Sequence, residues 1–298
     1  MTATDILAET IGIVRQRLGA ELDRITIERA AIGLFFTGVK LSTGHAGSSA
    51  TPIKEIPEAV CCPSSAMAMP FPGKLRGRKA AALLDEAVEA TGIRRALGIA
   101  VLNALAQAAS ERQANPDAEL LPDMDAFDAA EIRPDEKAVV VGAFVPFLRA
   151  LRKIGADHLV LEKDPSTLKP VEMPFFRDAS LAAEVVPQAD VLLITGTTLI
   201  NDTLDDLLDL AKPTARIVVV GPTVTMIPDA FFSRGCTILG GVLIDHPDAF
   251  LDVIAEGGSG YHFFGKSARK VVLRRKDALW RAAGVGGALP RVSQGLHP

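Results

Sequence analysis

From about residue 138 onward, short unbroken runs of valine, isoleucine and leucine alternate with stretches of helical periodicity. The runs are Ala138–Val141, His158–Leu161, Val191–Thr195, Ile217–Val220, Thr237–Leu239 and Lys270–Leu273. A strand that is apolar at every position, not every second one, has both faces buried, as happens where helices cover both sides of a parallel sheet. The segments between them fit helices at 145–153, 179–186, 202–211, 228–233 and 247–255. Strand–helix–strand units of this kind cross over with a right hand. The pattern therefore predicts an open, mostly parallel, doubly wound α/β sheet of Rossmann-like type over residues 131–276.

The first 130 residues have a different rhythm. Leu7, Ile11, Val14 and Leu18 share one face of a helix from Asp5 to about Leu18, with Thr4 to cap it and Gly19 to stop it. Strand-like segments follow at Leu22–Arg29, Ala31–Leu41 and part of Ser48–Ile56, with a polar turn at Ser42-Thr43-Gly44-His45. Pro57, Pro63, Pro70 and Pro72 make the next stretch irregular, and helices are expected at 78–90 and 93–113. Strands followed by helices predict a small α+β domain over residues 1–130. Asn115–Glu136, rich in Asp, Pro and Ala, reads as a linker into the sheet domain. Residues 277–298 read as a C-terminal extension docked by Trp280.

Charge and composition narrow the partners. Lys plus Arg is 32 against 36 Asp plus Glu, a net charge of −4, so the chain has no general attraction for nucleic acid or an anionic membrane. Apolar runs such as Val139–Leu148 fall short of the ~20 residues that span a bilayer. Asp5 and Glu9 stand where a secretory signal would need a basic start. Three cysteines, two of them adjacent, do not make a disulfide framework. The expectation is a cytoplasmic protein whose partner is a small molecule or a metal ion; homo-oligomer formation is left open.

In a doubly wound sheet, ligands bind outside the carboxyl ends of the strands, where the strand order reverses. At the first such end, Gly142 allows a tight turn, but Phe144 stands where a dinucleotide fingerprint has the glycine that admits a pyrophosphate. Glu162 follows at about the 20-residue offset of an acid that holds a ribose hydroxyl. The third end, Thr195-Gly196-Thr197-Thr198-Leu199-Ile200-Asn201-Asp202, sets hydroxyls and a glycine before a helix expected near Asn201 or Asp202. Free N–H groups and threonine hydroxyls there favour an anion, whereas capping alone accounts for a single polar residue. Gly221 and Thr223 form the neighbouring wall, and Gly240-Gly241 marks a close approach or a bend.

The first half adds Asn103, a lone amide in an apolar helix that either ties that helix to a loop or faces a cleft. Metal-ligand candidates are His45 in its turn, the thiols of Cys61 and Cys62, and His262 on a glycine-rich loop. The Cys61-Cys62 spacing matches no C-x-x-C zinc pattern.

The residues of Val139–Pro146, Leu161–Pro165, Ala189-Asp190 through Thr195–Asn201, and Val220-Gly221-Pro222 resemble, in order and spacing, the putative heavy-metal chelation domain family. In the first half the resemblance rests on Ile32-Gly33, Thr37-Gly38-Val39 and Leu97-Gly98 through Asn103-Ala104. It implies a Rossmann-like domain preceded by a small domain similar to the N-terminal domain of enolases, with a candidate site between them. The implied function is binding of a transition or heavy metal ion, or of a metal–ligand complex, in that cleft. The alternative is an enzyme acting on a small anionic or nucleotide-like metabolite at the strand ends. Asp202 stands where the family pattern has glycine.

Overall fold

The computed structural model describes residues 5–55 and 71–276. The chain opens with helix α1 (Ile6–Leu18), capped by Asp5, whose carboxylate accepts the Leu7 N–H at 2.9 Å. The expected cap Thr4 lies outside the described residues. Three antiparallel strands follow, β1 (Ile27–Ile32), β2 (Phe36–Leu41) and β3 (Ala46–Ala50), in the order β1-β2-β3. The expected helix at 78–90 is broken into a 3₁₀ turn, Ala80–Leu83, and a short helix, Glu86–Glu89, yet Leu83, Leu84 and Ala87 are still buried. Helix α2 (Gly92–Arg112) then lies on β3. Gly47 makes that approach tight, because a Cβ there would stand 2.3 Å from the Ala100 carbonyl oxygen.

The second part is an eight-stranded sheet. Its strands are β4 (Ala118–Pro122), β5 (Ala138–Val141), β6 (His158–Glu162), β7 (Phe176–Asp178), β8 (Val191–Thr195), β9 (Arg216–Val220), β10 (Cys236–Ile244) and β11 (Ala268–Arg275). Their order is β4-β11-β10-β9-β8-β5-β6-β7, with β10 through β7 parallel, β11 antiparallel to β10, and the edge strand β4 antiparallel to β11. Numbered from β5, the parallel strands run 6-5-4-1-2-3, the order of dinucleotide-binding sheets read from the other side. The mostly parallel sheet expected from the Val/Ile/Leu runs is present. The expected linker carries β4 and helix α3 (Ala126–Ala130), so part of it belongs to the sheet.

Alternate residues of the strands feed two cores. Val139, Leu161, Leu192, Ile194, Ile217, Val219 and Leu239 face one way and pack in one cluster with residues of α1, α2 and helix α5 (Leu204–Leu210). Ala138, Val140, Val160, Leu193, Val218 and Ile238 face the other way, with α3 and helix α4 (Val145–Ile154). Helix α6 (Pro247–Ala255) packs instead on β1 and β2. Among the described residues, no helix is long and apolar enough to cross a membrane.

Candidate functional site

The strand order reverses between β5 and β8, so the carboxyl ends of these strands flank the crevice where ligands bind in such sheets. Their ends touch. Gly142 has φ +96°, and a Cβ there would lie 2.8 Å from Thr195 Cγ2, so both its backbone angle and its neighbour require glycine. Beneath them is an apolar gap of about 10 Å³ between Val141, Phe144, Phe147, Ile194, Thr195 and Val220. Phe144 closes it, its ring edge-on to Phe147 at 4.5 Å.

Glu162 is committed to the backbone. One carboxylate oxygen accepts the Ala143 N–H at 2.7 Å, and the other accepts the N–H groups of Lys163 (2.8 Å) and Asp164 (3.1 Å). The carboxylate thus stitches the turn after β5 to the turn after β6. It uses three of a carboxylate's roughly four acceptor positions. The Ala143 N–H, which could meet a ligand anion, is already met by the chain's own.

The threonines divide their labour. Thr195 caps a 3₁₀ turn, Gly196–Leu199, and its hydroxyl lies 3.2 Å from that of Thr197. Thr198 is buried and donates to the Thr195 carbonyl at 2.7 Å, whereas Thr197 is exposed. The helix expected near Asn201 or Asp202 begins instead at Leu204, because the chain passes from the 3₁₀ turn at Gly196–Leu199 into a further turn that puts Asp202 in the left-handed conformation. Asn201 accepts the Thr203 hydroxyl at 2.7 Å. Asp202 has φ +60°, the left-handed conformation that glycine adopts freely, and its carboxylate lies 2.7 Å from Nη2 of Arg95 on α2. Its charge is thus paired across to the first half of the chain.

Gly196 packs against the next strand end, where a Cβ would lie 3.0 Å from Val224 Cγ1 and 3.2 Å from Thr223 Cβ. Gly221 has φ +137° and donates to the Gly240 carbonyl at 2.8 Å. Thr223 Oγ1 accepts the Ala50 N–H at 3.1 Å. Asn103, fully buried, aims its Nδ2 at the carbonyls of Ser48 (2.7 Å), Thr223 (3.0 Å) and Pro222 (3.3 Å). It is the tie between helix and loop, joining β3, α2 and the turn after β9. Gly142, Phe144, Glu162, Thr195 to Thr198, Gly221, Thr223 and Asn103 therefore belong to the loops at the strand ends or to the parts of the first half seated on them.

The metal-ligand candidates do not gather there. His45 Nδ1 lies 2.9 Å from the Thr43 hydroxyl, and its Nε2 lies 3.1 Å from Glu111 on α2. His262 Nδ1 accepts the Ser259 N–H at 2.9 Å, closing a capping box on Gly260–Phe263. Cys61 and Cys62 lie outside the described residues. Cys236 is buried in β10, and burial pushes its thiol up to about 12, far from a ligating thiolate at neutral pH. Among the described residues, no three His, Cys, Asp or Glu side chains come together to hold a metal ion.

Two contributors went unread in the sequence. Arg95 is 4% exposed and bridges to Asp202; beside Arg94 it reads in the sequence as one of two surface arginines at the start of a helix. Lys54 pairs with Asp164 in the turn after β6, and nothing in the sequence connects the two.

Two family profiles and several known proteins resemble this chain. Residues 125–273 and residues 15–106 match two family profiles, each described as "Putative heavy-metal chelation". An uncharacterised protein of Methanocaldococcus jannaschii is 32% identical over 182 residues, covering 59% of this chain and 65% of that protein. The aligned region is therefore less than two thirds of that relative's length. A crystal structure from Pyrococcus horikoshii, of a family member of unknown function, superposes with a TM-score of 0.69 at 19% identity, over 91% of this chain and 100% of that one. A second, from Desulfitobacterium hafniense, gives 0.65 at 18% identity, over 89% and 98%. At these identities the two structures establish the fold and no more. With the profile over residues 125–273 spanning the parallel strands and their strand-end loops, this chain belongs to the family described as "Putative heavy-metal chelation".

Proposed function

We propose that the chain binds a small anionic molecule at the carboxyl ends of β5 and β8, in the cleft between its two parts, and that any heavy metal arrives as a complex of that molecule. The observation that carries this reading is the contact of Gly142 with Thr195 at the switch point, beside the exposed Thr197 hydroxyl. Support for a ligand bound through an anionic group comes from the strand-end loop itself, which sets the Thr195 and Thr197 hydroxyls 3.2 Å apart. A dinucleotide fits poorly, because Phe144 and the Glu162 carboxylate occupy the turn a pyrophosphate would need.

The second reading is an enzyme acting on a nucleotide-like metabolite at the same strand ends. The dinucleotide-type strand order favours it. Glu162, which holds the backbone, would then orient a ligand hydroxyl with its one remaining acceptor position.

Native mass spectrometry with elemental analysis, on protein purified without chelators or an affinity metal, tests the proposal. The expected result is a non-covalent organic adduct that is lost in Thr197→Val, with any metal departing alongside it. A stoichiometric metal with no organic ligand, retained in Thr197→Val but lost when Cys61 and Cys62 become serine, would overturn it.

A further inference from the structure

The chain leaves β3 at Ala50 and is fastened twice to the large sheet within five residues. The Ala50 N–H is held by Thr223, in the loop after β9. Lys54 is paired with Asp164, in the turn after β6. The sheet order here is β9-β8-β5-β6, so the two fastenings sit on the outer members of this set. Between them lie β8 and β5, the strands that end at Thr195 and Gly142. The span is right: three strand spacings come to about 14 Å. Four residue steps supply at most about 14 Å of backbone, and the lysine side chain makes up what the turn at Ile53–Glu55 takes away.

The two ends are not alike. At the Ala50 end Thr223 is 1% exposed and Asn103 grips the same loop. Thr51 is buried, with its hydroxyl 3.0 Å from that of Thr37 and its N–H on the Phe35 carbonyl at 2.9 Å. At the other end the Lys54 and Asp164 side chains are 66% and 40% exposed, and Ile53 is itself 43% exposed. An exposed ion pair of this kind opens readily and is screened by salt. Pro52 stiffens the joint between the held part and the free part.

We propose that Ala50–Lys54 is a strap across the switch-point crevice, fixed at Thr223 and releasable at Lys54–Asp164, and that its release admits ligand to the ends of β5 and β8. This rests on the strand-end reading for where the ligand goes, but not for the motion itself. The Lys54 end lifts, the exposed backbone after Pro52 takes up the movement, and the crevice beside Thr195 opens.

Hydrogen–deuterium exchange on the whole chain tests the motion without a ligand. In Asp164→Asn, and in the unmodified protein at about 0.5 M NaCl, the amides of Ile53 and Lys54 are expected to exchange about fivefold faster, while those of Ala50, Thr51 and β2 keep their rate. The swap Lys54→Asp with Asp164→Lys is expected to restore the original rate. Access is tested by maleimide labelling of Thr195→Cys, in a background with Cys61 and Cys62 changed to serine. Labelling is expected to quicken by a similar factor, about fivefold, when Asp164→Asn is added. Unchanged exchange at Ile53 and Lys54, or equal acceleration at Ala50, Thr51 or in β2, would overturn the strap. Faster exchange with unchanged labelling would overturn its control of access and leave the strand-end site standing.

Discussion

At Asp202 the backbone and the side chain ask for different residues. Its φ of +60° suits glycine, yet its carboxylate faces an arginine that is 4% exposed and whose Nε has no hydrogen-bond partner among the described residues. A left-handed backbone costs a residue with a Cβ about 1–2 kcal/mol. Stripping the partner from a buried charge costs about 3–5 kcal/mol, less here because the Asp202 side chain is 68% exposed and Asp5 stands 3.9 Å from the same guanidinium. The pairing still outweighs the strain. Asp202→Gly is expected to lower stability by about 1–2 kcal/mol in a denaturant titration, although glycine is the better backbone residue. A gain in stability would show that Arg95 does not need this partner. The family pattern's glycine marks this position, but the sequence pattern sets a helix start here in place of the left-handed turn; the arginine was not legible either, because it lies 107 residues earlier in the chain. Glu162 gives the same lesson. Its place at the carboxyl end of a strand follows from the sequence, but what it holds is three backbone N–H groups that only the folded turns bring to it.

Whole elements were legible where burial is two-sided. The parallel strands β5, β8 and β9 announce themselves as unbroken apolar runs within one residue of their true bounds. The edge strands do not. β4 exposes Leu120 at 60%, and β7 is three residues, Phe176–Asp178, with a polar second half. β10 runs to nine residues because Gly240-Gly241 is not a bend. A Cβ at Gly240 would meet Ala126 Cβ at 2.5 Å, and one at Gly241 would meet Thr225 Oγ1 at 2.6 Å, so the glycines let other parts of the chain lie close on a continuous strand. The alignment of β5 with β8 depends on Asp190, which accepts the Lys137 N–H at 2.8 Å just before β5 and the Lys212 ammonium at 2.5 Å. The Lys212 bond first, and the Lys137 N–H second, hold the Asp190 carboxyl below its ordinary value of 3.8. A carboxyl depressed in the folded state stabilises fully above its unfolded pKa, and that contribution is lost as pH falls through the folded value. Asp190 is 42% exposed, so screening reduces the effect to about 1 kcal/mol. Asp190→Asn is expected to be less stable by that amount at neutral pH, with the gap narrowing in thermal melts taken below about pH 4. A gap that stays constant to the lowest pH would mean the charge is not what aligns the strands.

On the scale of the molecule, the two parts do not have separate cores. Leu7 and Val14 of α1 and Leu97 and Leu105 of α2 belong to the same buried cluster as Leu192 and Ile194 of β8 and Phe231 beyond β9. Ion pairs run along the same seam, from Arg17 to Asp229 at 2.7 Å and from Glu9 to Arg234 at 2.8 Å. The first part also sets the shape of the strand-end loops: Arg95 reaches the one after β8, Asn103 the one after β9, and Lys54 the one after β6. If burial is shared in this way, neither part can lose its structure without exposing the other's apolar surface. Calorimetry is therefore expected to show one transition with equal calorimetric and van't Hoff enthalpies. Asn103→Ala cuts the amide that joins both parts, leaving the Ser48 and Thr223 carbonyls without its N–H groups, at a cost of roughly 2–3 kcal/mol. For a chain of this size that lowers the midpoint by about 4–12 °C, and cooperativity requires the single peak to move whole. A second peak in the variant would mean that the seam transmits less than its burial implies, and that the loops at the strand ends keep their form without the first half's support.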